Sequence, residues 1–252
     1  MRSRNPIFIM GHPRSGTSIT CWVLGQHPKI QYHFEETNCF NNELEKLITS
    51  PFRWLALDTY NTYLQPKLNE QEKSALAQFI EESLLVGDIH FNIRIFFDKC
   101  LMPSAQKDSF IEKTPLHIFY ADTIRRVYPD SIFLIPHRPE EQVIASMDTK
   151  SWSPKSPIAK ELFYDIIEDE IDYVMHKHDR VCYFDFEKFC ESPEVVIQFL
   201  IEHGIERAGF EEVYKAHKKR VDVKYLTQKK DKDNAVDNIR RMAQNDKPDT
   251  FR

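Results

Sequence analysis

The sequence predicts an α/β protein in which helices flank a central, mostly parallel sheet, giving three layers. Three observations predict it. Four short apolar, β-leaning runs, at Ile7–Met10, Ser109–Ile111, Ser131–Ile135 and Val181–Phe186, are each followed by a helical pattern. The stretch from Pro6 to His27 reads as strand, glycine-bracketed turn and helix: IFIM, GHPRSGTS, ITCWVLGQH. And 252 residues with 41% hydrophobic and 29% charged content suffice for one sizeable core, so residues 1–252 are taken as one domain.

The first strand and its turn have the frame of a phosphate-binding loop. Gly11 and Gly16 carry the spacing of the glycines in G-x-x-x-x-G-K-[ST], so backbone N–H groups between them can face an anion, backed by a helix N-terminus. The fold expected is therefore P-loop-like. Thr17 stands where the lysine would approach the β and γ phosphates of a triphosphate, while Arg14 supplies a cation from within the loop. That departure points to phosphate binding without ordinary ATP chemistry.

Downstream, a brief strand is expected at Ile30–Tyr32. Between Asn41 and Lys99 the composition is mostly helical, with Glu70–Leu85 the most amphipathic piece, and this insertion (about 41–100) reads as a helical cap over the sheet edge. The run SFI at Ser109–Ile111 leads into EKTPLH, which places Lys113 at the carboxyl end of a parallel strand, facing the same crevice as the loop. The strand at Ser131–Ile135 runs on to Arg138 and a helix opened by Pro139, with Ser146 eight residues beyond the arginine. A guanidinium and a hydroxyl so placed suit a second phosphate. A long helix follows over Ile158–His178. After the last strand, a shorter helix spans Pro193–His203 with Ser192 as its cap. Beyond Val221 the apolar periodicity fades. The 221–252 tail is either solvated or a basic flap that brings Lys224, Lys229, Lys230, Arg240 and Arg241 to an anion.

Composition narrows the partners. A net charge of −5 and a pI near 6.1 give no global pull toward nucleic acid or anionic membrane. The five cysteines show no C-x-x-C spacing, which argues against a zinc site and a disulfide framework and for buried free thiols. No run approaches the roughly 18 apolar residues of a membrane span, and the first strand starts too early for a signal peptide, so a cytoplasmic protein is expected.

Taken together and in order, PIFIMGHPRSGTS, EKTP and HRPEEQVIAS resemble the sulfotransferase family, and VCYFDFEKFCESPE is similar to its late strand followed by an acidic, Pro-containing turn. The resemblance implies 3′-phosphoadenosine 5′-phosphosulfate (PAPS) as sulfuryl donor, the desulfated nucleotide (PAP) as product, and no metal. It implies that Arg14, Ser15, Gly16, Thr17 and Ser18 cradle the 5′ end of the donor and that Arg138 and Ser146 hold its 3′-phosphate. Pro139 directly after Arg138 departs from the commoner family wording R-D-P, while the Arg-to-Ser spacing is kept.

For the chemistry, the resemblance gives Lys113 the bridging oxygen of the leaving nucleotide. Soluble hormone-type members carry a histidine two residues after this lysine, but Pro115 stands there instead. The segment HPKIQYHFEET is more similar to the tyrosylprotein and bacterial branches, in which a glutamate soon after the first helix is the base. Aligning EET selects Glu36, with Glu35 the alternative; Lys113 and Arg14 complete the expected catalytic set. His33 and His117 are expected to have structural or surface roles rather than catalytic ones. The acceptor implied is a small hydroxyl-bearing metabolite, lipid or carbohydrate, and the aromatics Phe34, Phe40, Trp54, Tyr60, Phe91 and Trp152 suit either an apolar acceptor or ordinary packing. Two alternatives stay open: a non-catalytic PAP- or PAPS-binding protein on the same fold, and a P-loop kinase, the latter weakened by Thr17 and by the lack of a clear aspartate-tipped strand for magnesium.

Overall fold

The structure, a computed structural model, describes residues 5–32, 36, 108–150 and 153–222. The expected helical cap, Glu35, His33, the six aromatics named above, Cys39, Cys100 and the tail beyond residue 222 lie outside the described residues.

Five parallel strands, β1 (Ile7–Ile9), β2 (Ile30–Tyr32), β3 (Ser109–Lys113), β4 (Ile132–His137) and β5 (Val181–Asp185), form one sheet in the order β2-β3-β1-β4-β5. β1 thus lies between β3 and β4, with Ile9 level with Lys113 on one side and Leu134 on the other. The three sequence segments singled out above leave adjacent strands at the same edge of the sheet, which is where an open parallel sheet gathers ligands.

Alternation along β1 builds the layers. Ile7 and Ile9 join a core with Leu24 of α1 (Thr17–Leu24), Phe189 of α5 (Phe186–Glu191), Leu200 of α6 (Glu194–Glu202) and Val213 of α7 (Phe210–His217). Phe8 points to the other face and meets Phe110, Tyr128 and Phe133 at ring-centroid distances of 5.8, 6.0 and 6.5 Å. Tyr128 follows α2 (Ala121–Val127), and α4 (Pro157–Lys177) packs against β5 and the 3-10 turn Pro115–Tyr120. Phe8 is fully buried, and burial of a phenylalanine contributes about 1.5–3 kcal/mol relative to exposure.

Several boundaries differ from expectation for physical reasons. β4 continues through Pro136 to His137, because β1 ends opposite Leu134 and from there β4 is paired on one side only, to β5. A proline lacks only the donor that the vacated side would use. The helix after β4, α3 (Glu140–Met147), starts one residue beyond Pro139, which sits at the N-cap with φ −51° and ψ 141°. α6 likewise begins after Pro193 rather than with it; Ser192 Oγ accepts from the Glu194 amide. The acidic stretch after β5 is a helix, α5, rather than a turn, because Asp185 accepts from the amides of Glu187 and Lys188. β5 therefore does end in an aspartate, but one spent on capping.

Cys21, Cys182 and Cys190 are buried; burial pushes the Cys182 and Cys190 thiols up to about 11 and about 12, and Cys21 higher still. Among the described residues no helix is long and apolar enough to cross a membrane.

Candidate active site

The loop after β1 needs both its glycines. Gly11 (φ 118°) approaches Ile135 so closely that a Cβ would lie 3.0 Å from its Cγ2, and at Gly16 (φ 103°) a Cβ would lie 2.2 Å from the Phe186 ring. Arg14 is also left-handed, at φ 77°, a strained state for a side-chain-bearing residue that clusters at ligand-binding turns. α1 starts at Thr17 with no side-chain cap. The Ile19 and Thr20 amides donate to the Gly16 carbonyl oxygen at 3.1 Å, so it is the Thr17 and Ser18 amides, with the positive end of the helix dipole behind them, that can face an anion.

The residues assigned from sequence come together as follows. Arg14 Nε donates to Ser146 Oγ at 3.0 Å, and Arg138 Nη1 donates to the Arg14 carbonyl oxygen at 3.2 Å. The residues expected at the two ends of one nucleotide thus touch directly. Arg138 is further held by Nη2 donating to Gln142 Oε1 at 2.7 Å and lies 5.7 Å from the Phe186 ring centroid. Gln142 in turn donates to Glu187 Oε1 at 2.9 Å. Thr17 and Ser18 line a cleft of about 510 Å³ with Arg14, Glu36, Thr114 and Phe163. Ser15 does not face it: its side chain is buried and donates to the His12 carbonyl oxygen at 2.8 Å, so it shapes the loop from inside.

Glu36, which lines this cleft, accepts from Lys113 Nζ at 2.7 Å through Oε1. The lysine side chain is 6% exposed and the glutamate 46% exposed, so a nearly buried ammonium meets a carboxylate at the cleft rim. Beneath Lys113, Glu112 is fully buried; its Oε1 accepts from Thr114 Oγ1 at 2.6 Å, and its Oε2 lies 3.0 Å from His117 Nδ1. His117 is itself fully buried, in keeping with a structural role.

Three features escaped the sequence reading: the Glu112–His117–Thr114 cluster, the Gln142–Glu187 bridge behind Arg138, and a contact between His12 and Glu168. The first is local, and a glutamate directly before a strand-end lysine was its only signal. The other two join residues 45 and 156 positions apart, which no local pattern encodes.

Comparisons with known proteins bear on the family and the fold. Residues 6–206 match the model of the sulfotransferase family. Among solved structures, the chain is similar to the sulfotransferase STF1 from Mycobacterium tuberculosis, at 18% identity with a TM-score of 0.50 over 85% of this chain and 70% of that one. It is also similar to the sulfotransferase domain from the curacin biosynthetic pathway, at 18% identity with a TM-score of 0.52 over 86% of this chain and 78% of the domain. The sulfotransferase domain of the Synechococcus PCC 7002 olefin synthase gives 15% identity and a TM-score of 0.56 over 83% and 77%. Identities this low speak to fold alone. An uncharacterized protein of Aquifex aeolicus is 23% identical over 209 residues, or 79% of this chain, and the chain spans about a quarter of that curated relative's length.

Proposed function

The chain belongs to the sulfotransferase family, and from that premise we propose that it transfers a sulfuryl group from PAPS to a hydroxyl, or less readily an amine, on a small-molecule, lipid or carbohydrate acceptor. The observation that carries this reading is the Lys113–Glu36 pair, 2.7 Å apart, at a cleft walled by the uncapped start of α1. It supports a site with a cation for a leaving oxygen and a carboxylate for a proton, side by side.

In this reading Arg14, Gly16, Thr17 and Ser18 hold the 5′-phosphosulfate with guanidinium and backbone donors, and Ser15 keeps the turn in shape. Arg138 and Ser146 hold the 3′-phosphate, Ser146 passing from Arg14 to the nucleotide. Glu36 takes the proton of the acceptor hydroxyl as its oxygen bonds to sulfur. The bond from sulfur to the 5′-phosphate oxygen breaks, Lys113 balances the charge gathering on that oxygen, and PAP leaves. Sulfuryl transfer asks the protein for alignment, charge stabilisation and proton removal, and these residue types supply them. Thr17 in the lysine position of a triphosphate loop favours this over a kinase.

The test is direct. PAP binding by calorimetry and PAPS-dependent sulfation that PAP inhibits competitively are expected. Magnesium-dependent ATP turnover, or tight PAP binding without transfer across a broad acceptor panel, contradicts it.

A further inference from the structure

His12 lies inside the loop, 1% exposed, and its Nε2 is 2.7 Å from Oε1 of Glu168, a residue of α4. The ring also stacks on Tyr164 of the same helix, with centroids 4.0 Å apart and planes 12° from parallel. Bonding to His12 outweighs burial and holds the Glu168 carboxyl below its usual range. Glu168 is therefore an acceptor, and Nε2 carries the proton.

The backbone of His12 has a second task. Its carbonyl oxygen accepts both the Ser15 hydroxyl, at 2.8 Å, and the Ser15 amide, at 3.3 Å. Those two bonds set the turn that leads through Gly16 into the first amides of α1. On the other flank, His137 Nδ1 at the end of β4 is 3.9 Å from the same Glu168 oxygen, and the Tyr164 hydroxyl reaches toward the Arg138 carbonyl oxygen at 3.4 Å. One segment of α4 thus holds the ends of two strands, each leading into a segment that bears a phosphate-binding arginine.

We propose that His12 and Glu168 are a positioning pair: Glu168 sets the phosphate-binding turn through His12 and Ser15, without touching the nucleotide. The inference rests on the reading of this loop as the PAPS cradle. A role in fold stability alone would lower the melting temperature and leave the affinity of the folded protein untouched, so affinity is the discriminating readout.

The test measures PAP affinity by calorimetry and kcat and KM for PAPS, beside thermal melts, for Glu168→Ala, Glu168→Asp, His12→Gln, His12→Ala and the double alanine variant. Loss of a charge-assisted bond predicts that Glu168→Ala weakens PAP binding and raises KM for PAPS by about tenfold or more. His12→Gln still presents an N–H to Glu168 and stays within about threefold of wild type. The double variant loses no more than the worse single one, because the two act through one bond. If Glu168→Ala does not fold, Glu168→Asp, shorter by one methylene, must show the loss. Wild-type affinity in a folded Glu168→Ala or Glu168→Asp variant, or fully additive losses in the double variant, overturns the pair. A wild-type protein that binds no PAP instead refutes the cradle itself.

Discussion

Lys113, the last residue of β3, donates from Nζ to Oε1 of Glu36 at 2.7 Å, although 77 positions separate them in the chain. The lysine is held from below by the parallel pairing of β3 with β1, and the glutamate meets it from the rim. In the proposed reading these two side chains are the base and the cation for the leaving oxygen. Glu36→Gln is expected to keep PAP affinity within about threefold and lower the transfer rate by about 10²–10⁴-fold, the usual worth of a positioned base. Unchanged turnover would move the base to Glu35 or elsewhere.

The two arginines should separate by ligand. Under the proposed assignment, Arg138→Ala is expected to weaken PAP binding by about 10–100-fold and adenosine 5′-phosphate binding much less, since the 3′-phosphate contact is lost together with the bond to the Arg14 carbonyl oxygen. Arg14→Ala should weaken both nucleotides. Competition binding with the two ligands checks this, and intact PAP binding in both variants would remove the phosphate-site assignment.

Gly16→Ala puts a methyl group 2.2 Å from the Phe186 ring and a Cβ on a residue at φ 103°. The expected result is a stability loss of about 2 kcal/mol or more by urea unfolding, together with weakened PAP binding. Adding Phe186→Ala to Gly16→Ala relieves the clash but not the backbone strain, so nucleotide affinity should return only in part.

The buried Glu112 ties together Thr114 and His117 beneath Lys113. Glu112→Ala removes the buried acceptor shared by Thr114 and His117 and should cost about 1–3 kcal/mol by denaturant unfolding. A loss below about 1 kcal/mol would mean that this turn is held by other contacts.

Glu168 predicts a pH dependence. Its folded carboxyl titrates below the ordinary value of 4.5, chiefly because His12 hydrogen-bonds it. A depressed carboxyl contributes stability that is fully present above the unfolded value and is lost as pH falls through the folded one. The stability gap between wild type and Glu168→Gln should therefore be constant above about pH 5.5 and narrow progressively below pH 4.5. Chemical unfolding across that range measures it; a gap that does not narrow would place the titration elsewhere.

Much of the architecture was legible because β1 and β4, buried on both faces, are short apolar runs followed by helix patterns, and β5 is a β-leaning run followed by one. The turn between β1 and α1 was legible from its two glycines. What escaped was long-range or dictated by neighbours. β4 tolerates Pro136 because β1 is three residues long, and the bond between Arg14 and Ser146 follows from the order β3-β1-β4 rather than from either motif. His12, between Gly11 and Pro13, carries no local signal of its contact with Glu168 in α4, 156 positions away.

The central claim is sulfuryl transfer, and incubating the protein with sulfur-labelled PAPS and a metabolite extract, followed by mass spectrometry, tests it most directly. The account predicts a sulfated product formed in step with PAP by the wild type and lost in Glu36→Gln and in Lys113→Ala. Label that stays on the nucleotide or appears only as inorganic sulfate, with PAP tightly bound, would contradict it and leave a nucleotide-binding protein on a sulfotransferase fold.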